Sequence, residues 1–124
     1  MMAVILIVED DAFIHEYIEI SIQELGYETL SASDMDGALS FLCTTQRIDL
    51  LITDICLKKA LSGGIELADR AIKLRPKLGV LYTTGSPVTD ELKSLFVEDA
   101  AFLPKPYTLQ QLQGSIGELL AAKF

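Results

Sequence analysis

Val4-Ile5-Leu6-Ile7-Val8 runs without interruption into Glu9-Asp10-Asp11. An unbroken row of β-branched residues and leucine, with no polar alternation, describes a strand covered on both faces, as in a parallel sheet. The same figure recurs along the chain. Leu50–Thr53 stops at Asp54, Val80–Thr83 stops at Thr84-Gly85, and Ala101–Leu103 stops just short of Lys105. In an open parallel sheet the carboxyl ends of the strands lie side by side, and that edge is where ligands bind. Acids, a second acid, a hydroxyl and a lysine are thereby expected to converge.

Between these runs the hydrophobic period changes to that of helices. Asp11–Leu25 carries Ile14, Ile18, Ile22 and Leu25 on one stripe and is stopped by Gly26. Tyr27–Ala32 reads as a second strand, and Asp34 or Asp36 can cap a helix bearing Ala38, Leu39, Phe41 and Leu42. Ile48–Thr53 is the third strand, followed by a loop of small and basic residues from Lys58 to Gly63. Gly64–Leu74 is helical and ends before Pro76. Gly79–Thr83 is strand four, Pro87–Val97 a helix opened by proline, Ala101–Leu103 a brief fifth strand, and Thr108–Ala122 a final helix with a threonine cap. Strict β-α alternation predicts an α/β fold, a five-stranded parallel sheet with helices on both faces. Residues 1–124 are read as a single domain, with no output domain after the last helix.

Bulk properties narrow the function classes. Half of the residues are hydrophobic and 23% are charged, as in a soluble globular protein. No apolar stretch approaches the roughly 20 residues that cross a bilayer, and Met1-Met2-Ala3 lacks a basic secretory leader. A cytoplasmic protein without membrane insertion is expected. The net charge of −8 argues against direct nucleic-acid binding. Such a protein binds phosphoryl groups only if a divalent cation offsets its own carboxylates. Cys43 and Cys56 have no metal-like spacing and stand in apolar surroundings, so buried free thiols are expected.

Glu9, Asp10 and Asp11 have two readings. Acids at a helix start stabilise it by about 0.3–1 kcal/mol each, which accounts for one or two of them, most naturally Asp11. A further acid, Asp54, arriving from another strand is unexplained by capping. Clustered carboxylates repel unless a cation lies between them, and oxygen ligands without histidine or thiolate suit Mg²⁺. Lys105 is either a surface lysine in a turn or a charge paired with a carboxylate or phosphoryl oxygen. Its flanking Pro104 and Pro106 stiffen the backbone, and Lys105-Pro106 is a candidate cis bond. Together the groups describe phosphoryl transfer: Asp54 as nucleophile forming an acyl phosphate, Mg²⁺ and Lys105 balancing charge, and Thr84 bonding the attached group.

The chain resembles the receiver domain of two-component response regulators from Ile5 to about Ala121. The resemblance is carried by Ile5-Leu6-Ile7-Val8-Glu9-Asp10-Asp11, Asp49-Leu50-Leu51-Ile52-Thr53-Asp54, Tyr82-Thr83-Thr84-Gly85 and Phe102-Leu103-Pro104-Lys105-Pro106-Tyr107. It implies a flavodoxin-like (βα)5 doubly wound sheet in the order 2-1-3-4-5. It also implies that Asp54 accepts a phosphoryl group from a phosphohistidine of a sensor histidine kinase or histidine phosphotransfer protein. Such a domain loses the group again by its own hydrolysis rather than turning over a substrate. Mg²⁺ would be held by Asp10, Asp54, the main-chain carbonyl of Cys56 and, through water, Glu9. Thr84 and Lys105 would engage the phosphoryl oxygens, with Phe102 the switch aromatic that turns inward as Thr84 moves. Phe102 can equally be an ordinary edge-strand core residue. A departure from the family pattern is Lys58, where a proline is common, in a loop about one residue longer than usual. Lys58 and Asp11 are therefore further residues near the site. The alternative function is a constitutive protein-binding module that keeps the fold but does not depend on phosphorylation.

His15 reads as a surface histidine on the polar side of the first helix, since the helical bundle of a kinase phosphorylation site is missing. Phe13 and Tyr17 read as core packing, or alternatively as a docking patch for the helical phosphodonor. The last helix has Glu118 as its only charge. With Phe102 and Val88–Val97 it would form the face on which receivers meet a downstream target or a second copy.

Overall fold

The first strand, β1 (Val4–Val8), has all five residues buried, because it pairs on both sides and is covered on both faces. A computed structural model describes residues 3–57 and 63–122 of the chain. Around β1 the order of elements is α1 (Ala12–Glu24), β2 (Glu28–Ala32), α2 (Met35–Leu42), β3 (Leu50–Asp54), α3 (Gly63–Leu74), β4 (Gly79–Thr84), α4 (Asp90–Lys93), β5 (Ala101–Pro104) and α5 (Leu109–Ala121). The five strands form one parallel sheet in the order β2-β1-β3-β4-β5, the doubly wound topology expected.

Alternate side chains of each strand feed opposite layers. Leu6, Val8, Leu51, Val80 and Tyr82 pack with Ala38 and Leu42 of α2 and with Leu67, Ala68 and Ala71 of α3. Ile5, Ile7, Leu50, Ile52, Leu81 and Leu103 pack with Ile18 and Ile22 of α1 and with Leu112, Ile116 and Leu120 of α5. The register sets Val8 beside Thr53, Asp54 beside Thr83, and Thr84 beside Pro104, so the strand ends are level. Among the described residues no helix is long and apolar enough to cross a membrane.

Local chemistry explains the ends of the helices. Asp11 caps α1, its Oδ1 accepting from the amides of Phe13 at 3.0 Å and Ile14 at 3.2 Å. Gly26, at φ 95°, follows the last turn of that helix, as the glycine stop requires. Thr108 and Gln111 close a capping box on α5.

Several expectations need correction. The fourth helix is a single turn, not Pro87–Val97. Thr89 caps it, with Oγ1 accepting from Leu92. Beyond Lys93 the amides of Leu95 and Phe96 bond three residues back, and that of Val97 donates instead to the buried phenol oxygen of Tyr82 at 3.1 Å. Strands two and three begin later than expected, at Glu28 and Leu50, because Tyr27 and Ile48–Asp49 lie outside the ladder. Cys43 and Cys56 form no disulfide among the described residues and are exposed, not buried, since Cys43 ends α2 and Cys56 follows β3 in a loop. Phe13 and Tyr17 are not core: they are 86% and 54% exposed, because Ile18 and Ile22 already fill the face that α1 turns to the sheet. His15 is half-buried. Its Nδ1 lies 3.1 Å from the Glu9 carbonyl, an acceptor, so that nitrogen carries the proton.

Candidate functional site

Level strand ends place four of the expected side chains together. Glu9 and Asp10 leave β1, Asp54 ends β3, and one carboxylate oxygen of each lies within 4.8 Å of the others. Lys105, just past β5, reaches back so that Nζ is 2.9 Å from Asp54 Oδ2 and 3.7 Å from Glu9 Oε2. Its position is held by its own amide, which donates to the Thr84 carbonyl at 2.7 Å; the Lys105-Pro106 bond that follows is cis. Asp54 Oδ1 also accepts from the Cys56 amide at 3.3 Å. Lys105 is thus an ion-pair partner and not a free surface lysine.

The other expected residues stand differently. Thr84 is buried at the end of β4, and its hydroxyl is engaged with the main chain of Ser86, at 3.1 Å to both N and O. Phe102 is half-buried on β5, opposite Tyr82. Asp11 is outside the carboxylate group: its capping bonds to Phe13 and Ile14 are the explanation that holds. Lys58 lies outside the described residues, as does the loop with which it was associated.

One feature was not anticipated, and a second only in part, as the docking patch of Phe13 and Tyr17. A methyl group at Gly64 would overlap the carbonyl oxygen of Asp54 and come within 2.9 Å of Ile55 Cα. Glycine is therefore what allows α3 to start against the backbone of Asp54 and Ile55, where the Gly64 amide bonds Ile55 O at 2.8 Å. The second is an open groove of about 460 Å³ beside the acids, lined by Phe13, Ile14, Tyr17, Lys105, Pro106 and Tyr107.

Electrostatics set the character of the acid group. Burial raises the Glu9 carboxyl from 4.5 to about 7, with Asp54 and Asp10 adding to the rise and Lys105 and the Asp11 amide opposing it. Burial alone would lower Lys105, but the hydrogen bond and charge of Asp54, joined by Glu9, hold its pKa above the ordinary value. Burial and the nearby Glu9, Tyr17 and Asp54 push the Tyr107 phenol up to about 12. Glu9 Oε2 is buried and, among the described residues, accepts no hydrogen bond, with the Lys105 ammonium 3.7 Å away. Among the described residues three oxygen-donor carboxylates face one lysine, and one buried oxygen among them accepts no hydrogen bond, a set that fits a hard divalent cation.

A pH dependence follows. Folding raises Glu9 above its ordinary value, so its contribution to the metal-free fold is full below pH 4.5 and is lost as pH rises through about 7. A Mg²⁺ ion held among these carboxylates would compete with that proton. Its affinity by calorimetry is expected to weaken by about tenfold between about pH 8 and about pH 6. A flat profile would remove Glu9 from the ion's surroundings.

Comparison with known proteins agrees with this geometry. The family model described as the response regulator receiver domain matches residues 5–117. The response regulator receiver protein CpdR of Brucella abortus is 31% identical over 119 residues, covering 95% of this chain and 97% of that protein. The uncharacterized transcriptional regulatory protein YrkP of Bacillus subtilis is 30% identical over 113 residues, and the chain spans only 47% of its length. Among solved structures, a response regulator receiver protein from Sinorhizobium medicae superposes with a TM-score of 0.90 at 27% identity, covering 99% of this chain and 98% of that one. A CheY-like receiver domain protein from Methanospirillum hungatei gives 0.87 at 27% identity, covering 99% and 97%. The chain belongs to the response regulator receiver domains, the family of phosphorylation-based two-component signalling.

Proposed function

We propose that Asp54 is the phosphoacceptor of a Mg²⁺-dependent signalling switch in the cytoplasm. The observation that carries this reading is the convergence of Glu9, Asp10 and Asp54 with Lys105 bonded to Asp54. In the reaction an Asp54 carboxylate oxygen attacks phosphorus. A new O–P bond forms as the P–N bond of the donor phosphohistidine breaks, and the electron pair leaves with the imidazole. No general base is needed, because a carboxylate is already ionised near neutral pH. Lys105 is placed to meet charge spread over the phosphoryl oxygens. Asp10, Asp54, the Cys56 carbonyl and, through water, Glu9 would hold Mg²⁺, which supplies further charge stabilisation there. Once the group is attached, Thr84 exchanges its bonds to Ser86 for one to a phosphoryl oxygen, and Phe102 turns inward. Incubation with Mg²⁺ and acetyl phosphate, followed by intact mass, tests the assignment.

The donor is a sensor histidine kinase or histidine phosphotransfer protein. Phe13, Tyr17 and Tyr107 form its landing surface, because Lys105 belongs both to that groove and to the Asp54 ion pair. Tyr17→Ala is expected to slow transfer from a phosphohistidine donor about tenfold, the order of about 1.4 kcal/mol of lost aromatic contact. The rate with acetyl phosphate should not change. An equal loss with both donors would point to damage at the site itself.

The signal leaves through the face of α4, β5 and α5, where Leu95 and Leu109 are exposed. This face takes a downstream protein or a second copy. A domain that served only as a constitutive binding module would bind that partner equally with and without beryllofluoride.

A further inference from the structure

Phe102 does not stand alone on β5. Its strand neighbour Tyr82 is fully buried, with its ring stacked on Phe96 at 4.4 Å between centroids. Phe96 in turn meets Phe102 at 5.9 Å, with the rings tilted by 55°. The outer end of this column is closed by Lys93 of α4, whose Nζ lies 5.1 Å from the centre of the Phe102 ring. An ammonium at that distance over an aromatic face is attracted by the ring's negative quadrupole. The inner end is tied by the Val97 amide bonded to the Tyr82 phenol oxygen.

The column touches the site through the backbone. Thr84 and Pro104 are register partners, and the Lys105 amide bonds the Thr84 carbonyl, which joins Thr84 directly to the strand that carries Phe102. Turning Phe102 further into the fold takes its ring out from beneath the Lys93 ammonium. Lys93 therefore weights the balance toward the half-buried position.

We propose that Lys93 is a positioning residue that restrains Phe102 through its ring face, holding the domain in the resting form and setting how strongly a phosphoryl group must act to switch it. The link to phosphorylation rests on the function proposed above. The restraint itself is a property of the unmodified chain. A ligand that favours one of two forms binds more tightly when the competing form loses an interaction.

The test compares wild type, Lys93→Gln and Lys93→Arg. Mg²⁺-dependent beryllofluoride binding is expected to tighten by about two- to fivefold in Lys93→Gln, the worth of an exposed cation–π contact, and to stay at the wild-type value in Lys93→Arg. NMR of the Phe102 ring without any phosphoryl mimic should show displaced resonances in Lys93→Gln and not in Lys93→Arg. Equal or weaker binding by Lys93→Gln while wild type binds would overturn this inference and leave the phosphoacceptor reading intact. Failure of wild type to bind beryllofluoride would overturn that reading instead. In that case an unchanged Phe102 spectrum in Lys93→Gln overturns the restraint as well, and a displaced one supports it.

Discussion

Asp54→Asn is expected to abolish labelling by acetyl phosphate, while wild type gains the mass of one phosphoryl group in the presence of Mg²⁺. The substitution keeps the size of the side chain and replaces an anionic oxygen by a neutral amide that cannot act as nucleophile at this pH. Its effect on the fold is opposed from two sides. Lys105 loses the negative charge at 2.9 Å, retaining at most a neutral amide oxygen there, and keeps the Glu9 carboxylate at 3.7 Å. Glu9 loses one of the two acids that raise its carboxyl, so the remaining group repels less. The circular dichroism of the variant should therefore match wild type, which separates loss of chemistry from loss of structure. Labelling that persisted in Asp54→Asn would move the acceptor to Asp10 or Glu9 and undo the mechanism.

Most of the site could be read from the order of residues because it depends on strand ends. A parallel sheet whose strand ends are in level register must bring the residues after Val8, Thr53 and Thr83 to one edge, whatever the details of packing. What escaped reading depends on contacts between distant residues. Tyr82 looks like one more apolar strand residue, yet its phenol oxygen takes the Val97 amide and helps to end α4 after a single turn. Phe13 and Tyr17 follow the same helical spacing as the core stripe, and only the fit of Ile18 and Ile22 against the sheet decides which stripe is buried. Cys43 and Cys56 have apolar neighbours in sequence but stand beyond the ends of their elements. Asp11 and Asp10 are adjacent acids of the same type. Their separation into a cap and a member of the carboxylate group rests on which side of the helix start each occupies.

Gly64→Ala is expected to be among the most damaging single-methyl additions available to this chain. The new Cβ would overlap the Asp54 carbonyl oxygen and lie 2.8 Å from the Asp54 carbonyl carbon, both of them backbone atoms that cannot rotate away. Either α3 moves off the sheet or Asp54 shifts, and overpacking of this kind costs about 1–3 kcal/mol or somewhat more. The same substitution at Gly114 or Gly117 of α5 meets nothing within 4 Å, and there alanine should stabilise by about 0.5–1 kcal/mol through helix propensity. Urea unfolding of the three variants reads opposite signs for identical chemistry. Acetyl phosphate labelling adds a second readout, since displacement of Asp54 from Lys105 should slow phosphorylation in the Gly64 variant even where it remains folded, while the α5 variants label normally. A Gly64→Ala protein as stable and as readily labelled as wild type would mean that the start of α3 does not press on the Asp54 backbone.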